Sequence, residues 1–250
     1  MNKIDKKYLY YSLGILFVIF VWFIGSILVD SEIVLPKISL VFKTIGELFT
    51  KGETYLIILR TFLDILIVTI LTLILAFVFS LLALRFEGFK HFFSPIVTLL
   101  KSIPVVAVIV LFLLMVGQRF TPYVITFLVI FPILYEGIYS SINSIDKDLL
   151  DDVKTVSNLN YLVIKDIYFP LSKPKILVSL LQSFGLGLKV IVTAQMIAQT
   201  KGTIGYQIAI QNTYLETKGV FAWTIILIIF VFIIDFILHL IIKKTKDKVY

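Results

Sequence analysis

Lys189 lies in the middle of a long apolar segment, where an ionisable side chain costs about 2.5 to 3.5 kcal/mol unless it meets water or a partner. On a helix the polar side chains of this segment fall on one face, and they are Ser179, Gln182, Lys189 and Thr193. Such a stripe faces the interior of a helix bundle or an aqueous path. Two interpretations stay open: contact with a transport pathway, or a packed or ion-paired structural lysine.

Two further pairs of ionisable residues stand four positions apart, the spacing at which helical side chains meet. They are Asp235 with His239 and Arg60 with Asp64. We interpret each as a local pair near a helix end, with Arg60 at the membrane interface, and a functional role stays open as the alternative. Lys101 is expected to extend towards the interface or to bond the backbone near the proline that follows it.

Catalytic chemistry has little support in the sequence. The chain has no cysteine, and its two histidines, His91 and His239, stand far apart. It contains no H-E-x-x-H, G-x-S-x-G or G-x-x-x-x-G-K-[ST] motif. We therefore predict no catalytic, cofactor-binding or metal-binding residue, and an intramembrane enzyme is the most distant of the alternatives.

The composition is that of a membrane protein. Apolar residues make up 59% of the 250 positions and charged residues only 16%, whereas soluble domains carry about 45–50% and about 25%. A water-soluble domain of this size cannot bury so much apolar surface. The net charge of +7 is concentrated in the connections between apolar segments, so we interpret it as a topology signal and not as nucleic-acid binding.

A helix needs about 20 predominantly apolar residues to cross a bilayer. About six such segments predict an all-α, polytopic membrane protein with a single transmembrane domain over 1–250. The segments are about 8–29, 57–84, 93–117, 122–140, 174–199 and 221–242. Lysine and arginine are more numerous in the connections on the side of the N-terminus, which places both termini in the cytoplasm.

Two connections carry amphipathic patterns. Residues 30–56 hold apolar residues at helical spacing after Pro36, which predicts a short helix on the outer membrane surface. The cytoplasmic connection, 141–173, holds a second amphipathic stretch, in which Asp151 and Lys154 lie opposite the apolar side. This stretch is too short and too charged to span, so it lies along the membrane or docks on a partner protein.

The second stretch is followed by Ile-Tyr-Phe-Pro-Leu-Ser-Lys-Pro, whose first proline is Pro170. Together they resemble the EAA loop of binding-protein-dependent ABC permeases, which is a short Glu-Ala-Ala helix, then glycine, then Ile-x-Leu-Pro. Counting back from Pro170 places Asp151-Asp152-Val153 at the Glu-Ala-Ala position and Ser157 at the glycine. The acidic residue is shortened, and serine replaces the glycine.

Other segments resemble the nitrate, sulfonate and taurine branch of that family. In the last of them Gln195 replaces the family's glutamate. The segments are Leu35-Pro36, Ser94-Pro95, Lys101-Ser102-Ile103-Pro104, Phe131-Pro132-Ile133, and Gln195-Met196-Ile197-Ala198 with Gly202 and Gly205-Tyr206.

The resemblance implies the permease subunit of an ABC importer, a homodimer in a prokaryotic cell membrane with no ATP site of its own. It also implies three partners: an ABC ATPase subunit, an extracytoplasmic substrate-binding protein and a second copy of the chain. The residues that would dock on the ATPase are Leu149, Leu150, Asp151, Val153, Val156, Ser157 and Pro170. A secondary transporter or channel is the alternative, although it leaves the cytoplasmic helix unexplained. The substrate stays open between small anions, such as nitrate, sulfonates and taurine, and vitamin precursors.

Overall fold

The computed structural model describes residues 3–145, 165, 167 and 169–246, and the elements within these ranges are α-helices. The all-α, polytopic prediction is confirmed. The helices are α1 (Lys3–Val29), α2 (Ile38–Phe49), α3 (Gly52–Arg85), α4 (Glu87–Ser102), α5 (Val105–Asn143), α6 (Phe169–Ile197), α7 (Ile204–Thr213) and α8 (Thr217–Lys246).

Five helices of the described part are long and apolar enough to cross a membrane, against about six segments predicted from the sequence. They are Ser12–Val29, Gly52–Arg85, Val105–Asn143, Phe169–Ile197 and Thr217–Ile237. The difference lies in the third predicted span, 93–117, which is not one continuous helix. Its first half belongs to α4, and its second half is the start of α5.

Pro104 explains the break in the third predicted span. Proline has no N–H to donate, and its ring disfavours helical geometry in the residue before it. Accordingly α4 ends at Ser102, and both Ile103 (φ −67°, ψ 127°) and Pro104 (φ −68°, ψ 104°) are extended. A new helix starts at Val105, where proline at the preceding position costs no hydrogen bond.

Gly117 divides α5 into two limbs. Its backbone has φ 76° and ψ 175°, a conformation that is essentially restricted to glycine. Ile109 of the first limb packs in one buried cluster with Ile125 of the second, although a straight helix would hold them about 24 Å apart. The chain therefore reverses at Gly117, and residues 105–116 run antiparallel to residues 118–143.

α3, α5 and α6 form the centre of the bundle, and glycines allow the helices to approach closely. A Cβ atom on Gly187 of α6 would lie 3.0 Å from Ile65 of α3 and 3.1 Å from Ile130 of α5. Nearer the 144–168 connection between α5 and α6, a Cβ on Gly137 of α5 would lie 2.4 Å from Cβ of Ser179 on α6. These two contacts align α5 and α6 as antiparallel neighbours.

An aromatic cluster holds α4 against α3 and α5. The Phe93 ring centroid lies 4.9 Å from that of Phe79, 5.9 Å from that of Phe131 and 5.3 Å from that of Tyr135. Aromatic pairs at these separations add stabilisation beyond the area they bury. The cluster fixes the direction in which α4 leads towards the break at Pro104.

The predicted amphipathic helix in 30–56 is confirmed as α2, whose Val41 side chain is fully buried. The end of the bundle that carries α2 and α7 is called the α7 end below. α1 is held loosely: most of its apolar side chains are exposed, while the Trp22 indole N–H donates to the Pro36 carbonyl and its ring lies 5.3 Å from that of Phe221. α1 is therefore an outlying helix of the bundle.

Candidate functional site

A buried polar cluster, named the Asp64 cluster here, joins three helices towards the α7 end. It consists of Asp64 on α3, Tyr123 on α5 and Gln195 on α6. The Asp64 side chain is only 6% exposed and that of Gln195 is not exposed at all. The Tyr123 hydroxyl donates to Asp64 Oδ1, and Gln195 Nε2 donates to Asp64 Oδ2 over 2.9 Å. Two donors on two oxygens suit an ionised carboxylate, which only accepts hydrogen bonds.

α7 covers the Asp64 cluster and is fastened by its own first residues. The Ile204 N–H donates to Thr61 Oγ1 over 3.0 Å, and the Thr203 hydroxyl accepts from the Tyr206 N–H as the N-cap of α7. A Cβ on Gly205 would lie 2.4 Å from the Val192 carbonyl oxygen and 2.7 Å from Gln195 Cβ. Glycine is therefore required for α7 to reach the end of α6.

The predicted Arg60–Asp64 ion pair is wrong. In the described part of the chain Asp64 is held by Tyr123 and Gln195, and no ion pair joins it to Arg60. The Arg60 guanidinium instead lies over Gly202, whose Cβ would approach Arg60 Nη1 within 2.7 Å. The i, i+4 spacing was correct, but residues distant in the sequence satisfy the acid better than its helical neighbour.

The structure divides the predicted stripe on α6. Gln182 and Lys189 are exposed, and Lys189 has no side-chain partner among the described residues. Ser179 and Thr193 are half-buried. Ser179 packs on Gly137 and donates to the Lys175 carbonyl over 3.2 Å.

Exposed polar residues of α5 share a surface with the exposed part of the stripe. We take the direction of the Gly137–Ser179 contact as zero and measure the rotation about each helix axis. The exposed residues are rotated by about 60° to 100°, in the same sense on both helices. Because the two helices are antiparallel, both displacements point to the same side of the pair. We name this surface the open face, and its polar residues are Glu136, Ser140, Gln182 and Lys189.

Lys101 also belongs to the open face. Its Nζ lies 2.9 Å from Glu136 Oε2 and 3.0 Å from Oε1, and the two side chains are 52% and 49% exposed. The prediction that Lys101 extends to the interface or bonds the backbone near Pro104 is therefore wrong. The break after Ser102 leaves Lys101 in the last turn of α4, from which it reaches across to α5.

Sequence reasoning missed Glu136, Tyr123 and the pairing of Gln195 with Asp64. Glu136 lies within the fourth predicted span, and its position as an acid in an apolar segment was a usable signal. Tyr123 carried no such signal, because a tyrosine near the end of a span is common. The 131 positions between Asp64 and Gln195 put their pairing beyond any helical periodicity.

Most of the predicted coupling residues lie outside the described residues: Leu149, Leu150, Asp151, Val153, Val156 and Ser157. Pro170 is described and is the second residue of α6, an early position where a missing N–H is tolerated. The Asp235–His239 pair also cannot be placed, since the His239 side chain is not among those described. Among the described residues, no group of three or more acidic or histidine side chains forms a metal-binding arrangement.

Comparison with known proteins decides between a permease and the alternatives. Residues 76–247 match the model of the family described as "Binding-protein-dependent transport system inner membrane component". The chain belongs to this family. It is the multi-pass membrane component of an ABC importer, and ATP hydrolysis falls to a separate ATPase partner. The family also implies an extracytoplasmic binding protein as a partner.

The chain is also similar to a named permease and to a chain of a solved structure. The chain is 26% identical over 215 residues to a Bacillus subtilis (strain 168) protein named as an aliphatic sulfonates transport permease, SsuC, covering 84% of this chain and 76% of the relative. The fold of the present chain is similar to that of a chain of the MetNI methionine ABC transporter in an inward-facing conformation, with a TM-score of 0.62 and 15% identity. That match covers 78% of this chain and 99% of the other.

Proposed function

We propose that this permease forms, with a second copy of itself, a translocation path for a small organic anion, and that the open face lines the path. The observation that carries the proposal is Lys189, an exposed lysine within α6, eight residues before the helix ends, that has no partner among the described residues. An ionised lysine facing lipid at this depth is costly, whereas one facing water or a bound anion is not.

The position of the open face supports a path between two copies. α3, α5 and α6 bury their other sides against each other, and the open face is an exposed polar surface of two of these central helices. Gln182, Lys189 and the Lys101–Glu136 pair all lie on it. Polar groups within a membrane are placed on protein interfaces and aqueous cavities. A second copy of the chain facing this surface encloses such a cavity.

An aliphatic sulfonate is the substrate class we propose. The chain resembles SsuC, a relative whose name gives aliphatic sulfonates as its transported solutes. A sulfonate carries one negative charge and three acceptor oxygens, and a lysine ammonium provides the opposite charge with three donors. Gln182 lies two helical turns before Lys189 on the same side of α6 and supplies an amide donor for the same solute further along the path.

The coupling to ATP and the orientation in the membrane complete the proposal. Residues 148–159 dock on the ATPase subunit through the apolar side chains of Leu149, Leu150, Val153 and Val156. Both termini lie in the cytoplasm, in accordance with the excess of basic residues on that side. The α7 end then faces outwards, towards the binding protein that delivers the solute.

The test is ATP-driven uptake of radiolabelled ethanesulfonate by proteoliposomes that contain the permease, its ATPase and its binding protein. Lys189→Met keeps the length of the side chain and removes the charge, and we expect uptake to fall about tenfold or more. Lys201→Met, at an exposed position before α7, is the matched control and retains full uptake. Unchanged uptake and unchanged substrate-stimulated ATPase activity in Lys189→Met would assign the lysine a structural role.

A further inference from the structure

The ion pair between Lys101 and Glu136 requires an explanation that local packing does not supply. Both side chains are about half exposed, in a part of the chain composed of apolar helices. An exposed pair in water contributes little to stability, and one facing lipid costs free energy. The aromatic cluster around Phe93 already holds α4 against α5. The pair therefore faces a polar space, and its charges act on what occupies that space.

We infer that Lys101 and Glu136 form a charge-neutralising pair in the translocation path, and that Lys101 sets the anion selectivity of the section next to Glu136. The inference rests on the proposed function, since it takes the open face to line the path. It assigns a specificity-determining role to two residues of α4 and α5.

The depth of the pair relative to Lys189 supports this role. Ser179 of α6 lies level with Gly137, the neighbour of Glu136, and Lys189 follows ten positions later, about 15 Å further towards the α7 end. An anion that leaves Lys189 in the direction of the 144–168 connection therefore meets Glu136. An unpaired carboxylate there would repel it, because two like charges interact strongly in a poorly solvated space. Lys101, with its Nζ 2.9 Å from the carboxylate, removes this repulsion.

The break at Pro104 is what makes this placement possible. A continuous third span would extend the helix past Ser102 and give Lys101 an ordinary place within a span. Instead α4 ends one residue after Lys101, and the chain leaves in an extended conformation. The ammonium then extends from a helix C-terminus, where a cation is favoured, towards α5. The same break that lowered the number of continuous spans thus positions the selectivity lysine.

A reporter cysteine measures the charge of the path without any assumption about the substrate. The chain has no cysteine of its own, and Ser140 lies exposed one helical turn from Glu136. The probes are two methanethiosulfonate reagents of similar size, one ending in a sulfonate and the other in a trimethylammonium group. They are applied to the assembled transporter, reconstituted with its ATPase. Phe232→Cys, on the exposed apolar side of α8, is the lipid-facing control.

The expected result is a ratio of reaction rates that follows the charge next to Ser140→Cys. We expect Lys101→Met to lower the anionic-to-cationic ratio about tenfold, and Lys101→Met with Glu136→Gln to restore it. If the pair were only a structural tether, the double variant would lack both charges of the tether. Its rate ratio would then not return to the original value. An unchanged ratio in Lys101→Met, or a cysteine at 140 no more reactive than one at 232, overturns the inference.

The reporter also separates this inference from the proposed substrate. Ethanesulfonate uptake could be unchanged in Lys189→Met while the rate ratio changes in Lys101→Met. The open face would then line the path, and the proposed role of Lys189 would be wrong. If uptake falls in Lys189→Met while the rate ratio is unchanged in Lys101→Met, the proposed function is supported and the charge-neutralising pair is rejected.

Discussion

Asp64 Oδ2 and Gln195 Nε2 lie 2.9 Å apart, buried where α3, α5 and α6 meet. The chain resembles permeases with glutamate at the position of Gln195, and a glutamate there would bring two carboxylates into contact. The amide avoids this repulsion and also provides a donor. Asp64 and Gln195 are therefore best understood as a matched pair, in which the identity of each residue depends on the other.

A reciprocal exchange tests this dependence. Gln195→Glu should lower the free energy of unfolding by about 3 kcal/mol or more, because it buries a second carboxylate against Asp64. Asp64→Asn with Gln195→Glu reverses the direction of the hydrogen bond and lets the Tyr123 hydroxyl still donate to residue 64. We expect this double variant to recover most of the lost stability. Thermal unfolding in detergent measures both, and a double variant less stable than Gln195→Glu alone would contradict the matched pair.

Gly117 is expected to stabilise the α5 hairpin through its backbone conformation. Gly117→Ala places a Cβ on a backbone with φ 76° and ψ 175°, which costs about 1 to 3 kcal/mol. Gly46→Ala is the matched control, since Gly46 lies within α2 with nothing near its Cβ position, and alanine is the better helix former. We expect Gly117→Ala to lower the melting temperature and Gly46→Ala to leave it unchanged or raise it. Equal melting temperatures would show that the reversal tolerates a side chain.

The orientation of the chain is tested by single cysteines at three lysines in intact cells. Lys51 and Lys218 are exposed near the α7 end, and Lys147 belongs to the 144–168 connection. Both positions at the α7 end should react with a membrane-impermeant thiol reagent, while the cysteine at 147 reacts only after permeabilisation. Labelling at 147 in intact cells would reverse the proposed orientation.

Docking of the ATPase is tested by changing two apolar residues of the coupling stretch. Val153→Asp with Val156→Asp places two charges where apolar side chains should fill a cleft on the partner. We expect the permease to insert and dimerise normally while the ATPase no longer co-purifies with it. Lys154→Ala with Asn158→Ala, on the opposite side of the same predicted helix, should keep the complex intact. Stoichiometric ATPase bound to the valine double variant would place the docking site elsewhere.

Local patterns in the sequence were enough to predict the helices that are formed by one continuous run of residues. Runs of apolar residues predicted the long helices because lipid imposes a minimum length on each span. The 3.6-residue periodicity after Pro36 predicted α2 for the same kind of local reason. The third span differed because Pro104 interrupts a run that hydropathy alone treats as uniform.

The polar contacts could not be predicted from local patterns, because the two residues of each contact are far apart in the chain. Lys101 meets Glu136 across 35 positions, and Asp64 meets Gln195 across 131. Helical spacing favoured Arg60 as the partner of Asp64, but it contains no information about which helices become neighbours. A buried carboxylate selects the best donors that the assembled bundle offers, and these were Tyr123 and Gln195.

The separation of the Asp64 cluster along the chain has a consequence for biosynthesis. α3 enters the membrane carrying Asp64 long before its amide partner exists, since 131 residues separate the two and synthesis adds about 5–20 residues per second. For roughly ten seconds the acid can draw only on its helical neighbours and then on Tyr123, which follows after 59 residues. The newly inserted α3 thus carries an acid whose set of hydrogen-bond donors is completed only when α6 arrives.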